Sequence, residues 1–196
     1  MKKKRIFVTQ VFGFIFGFIM LFSESAFEDS IISGGLFAIG LMLIGIGTVG
    51  RLWCSIYISG RKDKILVTVG PYSITRNPLY LFSLIGAAGV GFATETVTFT
   101  IIIISLFAIF YPTTIKKEET YLEELFGSEY KAYYSRVLRF FPNIKLLYEP
   151  MEIIINPVIC RKRILNSLWF IWIAGFLELV EMLHEFKIIP VLLHIY

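Results

Sequence analysis

The chain has 196 residues, of which 56% are hydrophobic and 17% charged, and its mean hydropathy is +0.72. This balance excludes an ordinary soluble domain and predicts an integral membrane protein. The net charge of +4 then reflects orientation in a membrane, and no candidate nucleic-acid face combines basic with exposed aromatic residues. Neither cysteine, Cys54 or Cys160, belongs to a C-x-x-C pair or stands beside a histidine cluster, so we predict no metal site.

Two apolar segments in the first sixty residues have the character of transmembrane helices. Ile6–Phe22 follows a basic N-terminus and is just long enough to cross a bilayer. Ile31–Ile58 is longer than the hydrocarbon core is thick, so its end is expected to project into water. Its many glycines suit close packing against a neighbouring helix. An acidic loop containing Glu24 separates the two segments.

The segment Leu66–Leu81 joins two apolar blocks and is dense in turn-forming and polar residues. The glycine-proline pair at 70–71 is a turn signal, and Pro78 suits the first position of a helix. Arg76 and Asn77 would then lie at a helix N-terminus, where backbone N–H groups and the helix dipole favour anionic groups. The alternative interpretation is a membrane-surface loop with aromatic anchors and one snorkelling arginine.

Two further apolar segments, Pro78–Phe92 and Val97–Tyr111, predict a helical hairpin in the membrane. The far half of the first is rich in glycine and alanine, and we expect the two helices to pack through that face. The second membrane segment ends near Pro112 and continues into a helix in water.

The segment Lys116–Asn143 mixes charged and apolar residues at helical spacing and predicts two cytoplasmic helices against the mouth of the bundle. Gly127 is expected to separate them and Pro142 to end the second. Glu118 and Glu119 would lie where the first helix leaves the lipid. The next two acidic residues are expected on a solvated face: Glu123 and Glu124.

The C-terminal tail predicts one more membrane helix. Glu149–Arg163 contains two prolines and is expected along the membrane interface, and Ile164–His184 is expected to span the membrane. Glu178 and Glu181 fall in the outer half of that helix, where we expect an interfacial, structural role. Pro190 limits the last segment to a short helix.

Basic residues fix the predicted orientation. With the N-terminus in the cytoplasm, Lys187 alone of the 19 lysines and arginines falls outside. Tyr72–Asn77 and Lys116–Asn143 then face the cytoplasm together. The predicted fold class is all-α, a polytopic membrane helix bundle of about five transmembrane helices with two short cytoplasmic helices.

Two motifs carry a family resemblance. GPYSITRNPLYL resembles the G-x-Y-x-x-x-R-H-P-x-Y motif of the isoprenylcysteine carboxyl methyltransferase and phospholipid methyltransferase superfamily. KKEETYLEELFGSEYKAYYSRVLRFFP is similar to that family's second motif, E-E-x-x-L-x-x-x-F-G-x-x-Y-x-x-Y-x-x-x-V-x-R-x-x-P. The resemblance covers a catalytic core at 65–145 within one integral membrane domain, 1–196. The tail at 150–196, an interfacial segment and fifth membrane helix, is longer than in many members, and Asn77 replaces the usual histidine.

The resemblance implies an S-adenosylmethionine-dependent methyltransferase whose two cytoplasmic helices cover the cofactor site. It implies a lipidic or prenylated acceptor that enters from the membrane. Arg76 is the predicted catalytic residue and would position an acceptor carboxylate. The residues expected to bind the cofactor are Tyr72, Asn77, Tyr80, Glu118 and Glu119.

Four functions are compatible with the sequence. The first is carboxyl O-methylation of an isoprenylcysteine-type acceptor. The second is N-methylation of a phospholipid amine, for which Glu118 and Glu119 are the candidate bases. The third is a membrane reductase, because some sterol reductases share this C-terminal architecture, but no extended dinucleotide site is present. The fourth is a non-catalytic lipid-binding protein, which the replacement of histidine by Asn77 favours.

Overall fold

The structure, a computed structural model, describes residues 17–27 and 30–196, and helices dominate the described chain. A short helical stretch at 17–21 comes first. The elements then follow in this order: β1 (Ser23–Ser25), α1 (Ile31–Ile58), α2 (Pro71–Ile74), α3 (Pro78–Phe92), α4 (Val97–Arg136), α5 (Pro157–Ser167), α6 (Trp169–Glu185) and β2 (Leu193–Ile195). A single-turn 3₁₀ helix, Ile144–Leu146, lies between α4 and α5.

Three helical stretches of the described chain are long and apolar enough to cross a membrane. They are α1, α4 and the combined stretch of α5 and α6, and α3 is a shorter apolar helix. The chain is therefore a membrane protein. The predicted second span agrees with the bounds of α1, and the predicted third agrees with those of α3. Most of the predicted first span, Ile6–Phe22, lies outside the described residues, so the number of five spans stays a prediction.

Glycines allow α1 and α3 to pack closely as antiparallel helices. A Cβ atom on Gly47 of α1 would lie 2.5 Å from the Cα atom of Gly86 on α3, which no side chain tolerates. The glycine face of α3 therefore lies mainly against α1. The hairpin with α4 also uses a glycine, because a Cβ atom on Gly91 would lie 2.6 Å from the Cα atom of Thr100.

The helix α4 extends well beyond the predicted membrane segment. It passes through Pro112 and continues along the segment that we expected in water. Gly127 has φ 51° and ψ −119°, which breaks the helical path and confirms the predicted separation into two helices. The second of these helices thereby takes a new direction, back toward the residues that precede α3.

The prediction that Pro142 ends this helix is wrong, because α4 ends at Arg136. The chain beyond it runs extended and pairs with the segment before α3. The amide of Arg76 donates to the carbonyl of Leu138 at 2.8 Å, and the amide of Asn143 donates to the carbonyl of Ile74 at 2.9 Å. These bonds satisfy backbone groups of both segments, which favours the extended conformation over two more helical turns.

The tail begins its helix earlier than predicted. Asn156 caps α5 by accepting a hydrogen bond from the amide of Ile159 at 3.1 Å, and Pro157 occupies the first turn. A break at Leu168 separates α5 from α6. The predicted interfacial segment, Glu149–Arg163, therefore contains the first half of α5.

The last segment is a strand and not the predicted short helix. β2 pairs in parallel with β1, with Ser23 opposite Leu193 and Ser25 opposite Ile195. Pro190 precedes β2 and disfavours a continuous helix from α6. The predicted all-α class thus needs a correction for one small two-stranded sheet, which lies at the opposite end of the bundle from the motifs.

Candidate functional site

A cavity of about 230 Å³ opens at the end of the bundle where α1 ends and α3 begins. Both sequence motifs contribute to its wall. Five of the six predicted site residues line it, and Glu119 is the exception. The polar residues of the wall are Arg51, Lys62, Asp63, Tyr72, Arg76, Asn77, Tyr80, Ser83, Tyr111, Glu118, Tyr133 and Arg163.

Gly70 sets the path of the loop that carries the first motif. Its φ of 60° is unfavourable for other residues, and an added Cβ atom would lie 2.4 Å from the ring of Tyr57. Its amide donates to the carbonyl of Tyr148 at 2.7 Å. Pro71 then starts the single-turn helix α2. This geometry turns the buried side chain of Tyr72 toward the cavity wall.

Tyr80 and Glu118 join the two motifs directly. The hydroxyl of Tyr80, on the first turn of α3, donates to Oε2 of Glu118 on α4 at 2.7 Å. The side chain of Glu118 is 32% exposed, and its other oxygen lies 3.7 Å from the ammonium of Lys62. Glu118 is therefore a partly exposed carboxylate in the wall of the cavity.

Glu119, by contrast, lies behind the wall in a buried network. The residue is 6% exposed. Its Oε1 accepts from Nδ2 of Asn77 at 3.0 Å and from Nε of Arg139 at 3.2 Å, and its Oε2 accepts a second bond from Arg139. Both oxygens are thus engaged by protein donors. This hydrogen bonding with Glu119 raises the pKa of Arg139, which keeps the guanidinium charged.

Arg139 is a residue that our choice of site residues missed. It occupies the arginine position of the V-x-R pattern in the second motif, so the motif itself pointed to this residue. Its guanidinium reaches Glu119 because the chain after α4 folds back as an extended segment, which the predicted longer helix would not have allowed.

Arg76 retains free donors in a buried position. Its side chain is 8% exposed, and its Nε lies 3.6 Å from Oε1 of Glu119. The guanidinium carbon lies 3.6 Å from the centre of the Tyr134 ring, a cation–π contact. Nε and Nη1 have no hydrogen-bond partner in the described chain. A buried, positively charged group with unused N–H donors suits a carboxylate or phosphate of a ligand.

Further hydrogen bonds join the two motif segments in and behind the cavity wall. The hydroxyl of Tyr133 donates to the carbonyl of Tyr72 at 2.8 Å, and the hydroxyl of Thr75 donates to the carbonyl of Arg139 at 2.9 Å. These are long-range bonds between the segment before α3 and the end of α4. They hold the loop that carries Arg76 in place.

Arg51, which we did not include among the site residues, lines the cavity. Its Nη1 donates to the hydroxyl of Ser83, and its guanidinium carbon lies 5.6 Å from the centre of the Phe170 ring. Its Nε is buried with no partner in the described chain. Arg163, from α5, is a second arginine of the wall that our site prediction did not include.

A separate cavity of about 330 Å³ lies at the opposite end of the bundle. Glu181 and His184 line it, so His184 lies far from the motifs. A ring nitrogen of His184 lies 3.0 Å from the carbonyl oxygen of Leu21. Among residues 17–27 and 30–196, no cluster of three or more histidine, cysteine, aspartate or glutamate side chains could hold a metal ion.

Comparisons with known proteins place the motifs in a family context. The family model for phospholipid methyltransferase matches residues 30–129. The cobalt-zinc-cadmium resistance protein CzcN of Cupriavidus metallidurans is 35% identical over 85% of this chain and 76% of its own length. The nickel-cobalt-cadmium resistance protein NccN of Alcaligenes xylosoxydans xylosoxydans is 34% identical over 87% of this chain and 80% of its own length. No solved structure matches the chain.

Proposed function

The chain belongs to the phospholipid methyltransferase family, and from this premise we propose that it is an S-adenosylmethionine-dependent methyltransferase with a lipidic acceptor. The observation that carries the proposal is the convergence of two distant motifs on one cavity. Tyr80 and Glu118 meet there at 2.7 Å, and Asn77 meets Glu119 at 3.0 Å just behind the wall.

The donors and acceptors of the cavity fit the polar groups of S-adenosylmethionine. Glu118 offers a carboxylate for the methionyl ammonium or the ribose hydroxyls, and Tyr80 holds that carboxylate in place. Tyr72 adds an aromatic ring to the wall, where cation–π attraction to a sulfonium is available. Asn77 donates to Glu119, and Glu119 lies beside Arg76, so both residues help to position Arg76. We propose this role for Glu119 in place of the direct cofactor contact that we predicted from the sequence.

S-adenosylmethionine supplies a methyl group on a positively charged sulfur, ready for in-line displacement. The protein must hold the acceptor atom in line with that group and keep water away. Arg76 carries unused buried donors beside this region and would position a carboxylate or phosphate of the acceptor. The apolar helices around the cavity would admit the acceptor's tail from the lipid.

We favour a carboxylate nucleophile of the isoprenylcysteine type, because oxygen attack by a carboxylate needs no general base. N-methylation of a phospholipid amine is the alternative, and it requires a group to remove the amine's proton. Glu118 would serve, since it is partly exposed at the cavity. Glu119 is unsuited, because both of its oxygens accept hydrogen bonds from Asn77 and Arg139.

The relatives' names suggest a physiological setting. Two of them are named for resistance to cobalt and cadmium, with zinc or nickel. We propose that this chain also acts in metal resistance, through methylation of a membrane component. Deleting its gene should then raise sensitivity to these metals, and a methyl-transfer-deficient variant should fail to restore resistance.

We propose that the protein is multi-pass, with its N-terminus and the cavity in the cytoplasm. The basic residues of the described chain support this, because those at the ends of α1 and α4 lie at the cavity end of the bundle. This side also gives access to S-adenosylmethionine, which is a water-soluble, charged molecule.

Labelled methyl transfer tests the proposed function. The purified protein should move the label from S-adenosylmethionine into a prenylcysteine acceptor or into a lipid extract, and the labelled product identifies the acceptor.

Tyr80→Phe should weaken cofactor binding by roughly tenfold, because Glu118 then loses the hydrogen bond that holds its carboxylate in place for the cofactor. Tyr121→Phe is the matched control, since Tyr121 is 47% exposed on α4. Label in neither acceptor class would contradict the proposal.

A further inference from the structure

The helix α5 contributes a cation to the cavity from outside the part of the chain that matches the family. The match ends at residue 129, whereas Arg163 lines the cavity wall. The Nε of Arg163 is buried with no hydrogen-bond partner in the described chain. Its helix neighbours Arg161 and Lys162 are exposed. Arg163 is thus the basic residue of α5 that faces the site.

A second unused donor lies in the same wall. Tyr72 is 8% exposed, and its hydroxyl is buried with no partner in the described chain. Burial raises the pKa of Tyr72 well above its usual range, so the hydroxyl stays protonated and able to donate. The positive charge of Arg163 opposes this rise, as a nearby cation does. Two donors without acceptors therefore lie in the wall of one cavity.

The charge of the wall favours an anionic partner for these donors. The wall contains four cationic side chains, Arg51, Lys62, Arg76 and Arg163, and two carboxylates, Asp63 and Glu118. Lys62 pairs with Glu118, and Arg76 pairs with Glu119 behind the wall, which leaves Arg51 and Arg163 without a carboxylate partner among the described residues. A neutral ligand group would leave the wall with excess positive charge, whereas an anionic group with several oxygens can accept from Arg163 and Tyr72 together.

We propose that Arg163 and Tyr72 bind an anionic group, a carboxylate or a phosphate, of the methyl acceptor. The proposal rests on the proposed methyl transfer and names the acceptor's chemistry. It moves Tyr72 from the predicted cofactor residues to the acceptor subsite. We assign the anion to the acceptor because Arg163 comes from outside the family-matched segment. Both motifs, which contain the residues expected to bind the cofactor, end before α5, so a donor on α5 is available to the acceptor.

The test uses single-chain amphiphiles that share one tail and differ in the head group. Full-length protein in neutral detergent, saturated with S-adenosylhomocysteine, is titrated calorimetrically with decyl phosphate, decanoate and decyltrimethylammonium. The two anions should bind and the cation should not. Arg163→Gln should weaken decyl phosphate binding by roughly tenfold or more, the loss expected for a hydrogen bond between charged groups. Arg161→Gln, an exposed arginine on the same helix, should stay within about twofold of wild type.

Tyr72→Phe is the second variant, because it keeps the buried ring and removes only the hydroxyl. It should also weaken decyl phosphate binding, whereas the control Arg161→Gln should not. Unchanged decyl phosphate binding in both variants would overturn the proposal. So would equal binding of inorganic phosphate and decyl phosphate, which indicates a free-ion site.

A third result would also overturn the proposal that Arg163 binds the acceptor. If Arg163→Gln weakens S-adenosylhomocysteine but not 5′-methylthioadenosine, which lacks the carboxylate, then Arg163 holds the cofactor. A different result would show that the proposed methyl transfer itself is wrong. In that case wild-type protein binds no S-adenosylhomocysteine, while decyl phosphate binding still depends on Arg163.

Discussion

The Nε of Arg76 lies 3.6 Å from Oε1 of Glu119, and both side chains are less than a tenth exposed. The two residues come from different motifs, one before α3 and one on α4. From the sequence we expected separate roles, with Glu119 on the cofactor and Arg76 on the acceptor. The contact joins them in one network with Asn77 and Arg139, so a substitution of either residue changes the charge and hydrogen bonding around the other.

Glu119→Ala should destabilise the protein by about 1.5–3 kcal/mol, the range for hydrogen bonds to charged groups. It removes the acceptor of Asn77 and Arg139 and the counter-charge of Arg76. Thermal unfolding in detergent measures the loss. Glu123→Ala is the control, because Glu123 is half exposed and pairs at 3.6 Å with the exposed Lys131. Equal losses in the two variants would contradict the buried network.

Arg76→Ala and Glu119→Ala should be non-additive. Residues in one buried network couple by about 0.5–3 kcal/mol in double-mutant cycles. The cycle compares the affinity for S-adenosylhomocysteine and the single-turnover rate of methyl transfer in wild type, the two single variants and the double variant. Additive effects on both quantities would show that Arg76 and Glu119 act independently, as the sequence alone had suggested.

Gly47→Ala should disrupt the packing of α1 on α3. The added Cβ atom would lie 2.5 Å from the Cα atom of Gly86, and backbone at that distance must shift. Overpacking of this kind costs about 1–3 kcal/mol. Gly45→Ala on the same helix is the matched control, since nothing lies within 4 Å of its Cβ position. A melting temperature that falls equally in both variants would refute the close approach.

Cysteine labelling tests the orientation. Ser128 lies on α4 and Lys187 lies just after α6, and both residues are exposed, so each can be replaced by cysteine as a labelling site. The native cysteines Cys54 and Cys160 are buried, so background labelling should be low. A membrane-impermeant thiol reagent should reach Lys187→Cys in intact cells and Ser128→Cys only after the membrane is opened. Labelling of both from the same side would contradict the proposed orientation.

The sequence predicted the parts of the fold that follow from local patterns. The bounds of α1 and α3 follow from a serine cap, a proline at the first helical position and long apolar runs. The break at Gly127 follows from its position between two amphipathic segments. These features depend on neighbouring residues, which the sequence displays directly.

The features that the sequence did not predict depend on distant contacts. α4 ends at Arg136 because the chain beyond it pairs with the segment before α3. β2 replaces a predicted helix because it pairs with β1, which lies near the other end of the chain. The cavity residues Arg51 and Arg163 were missed for the same reason, since each lies far in sequence from the motifs.

Titration of the purified protein with S-adenosylhomocysteine tests the central claim most directly. We predict saturable binding by calorimetry and a rise in thermal stability, about 2.7 kcal/mol at a ligand concentration 100 times Kd. Tyr80→Phe should weaken this binding and Tyr121→Phe should not, and NADPH should bind far less. Stabilisation by NADPH with none by S-adenosylhomocysteine would contradict a methyltransferase site and point to a membrane reductase.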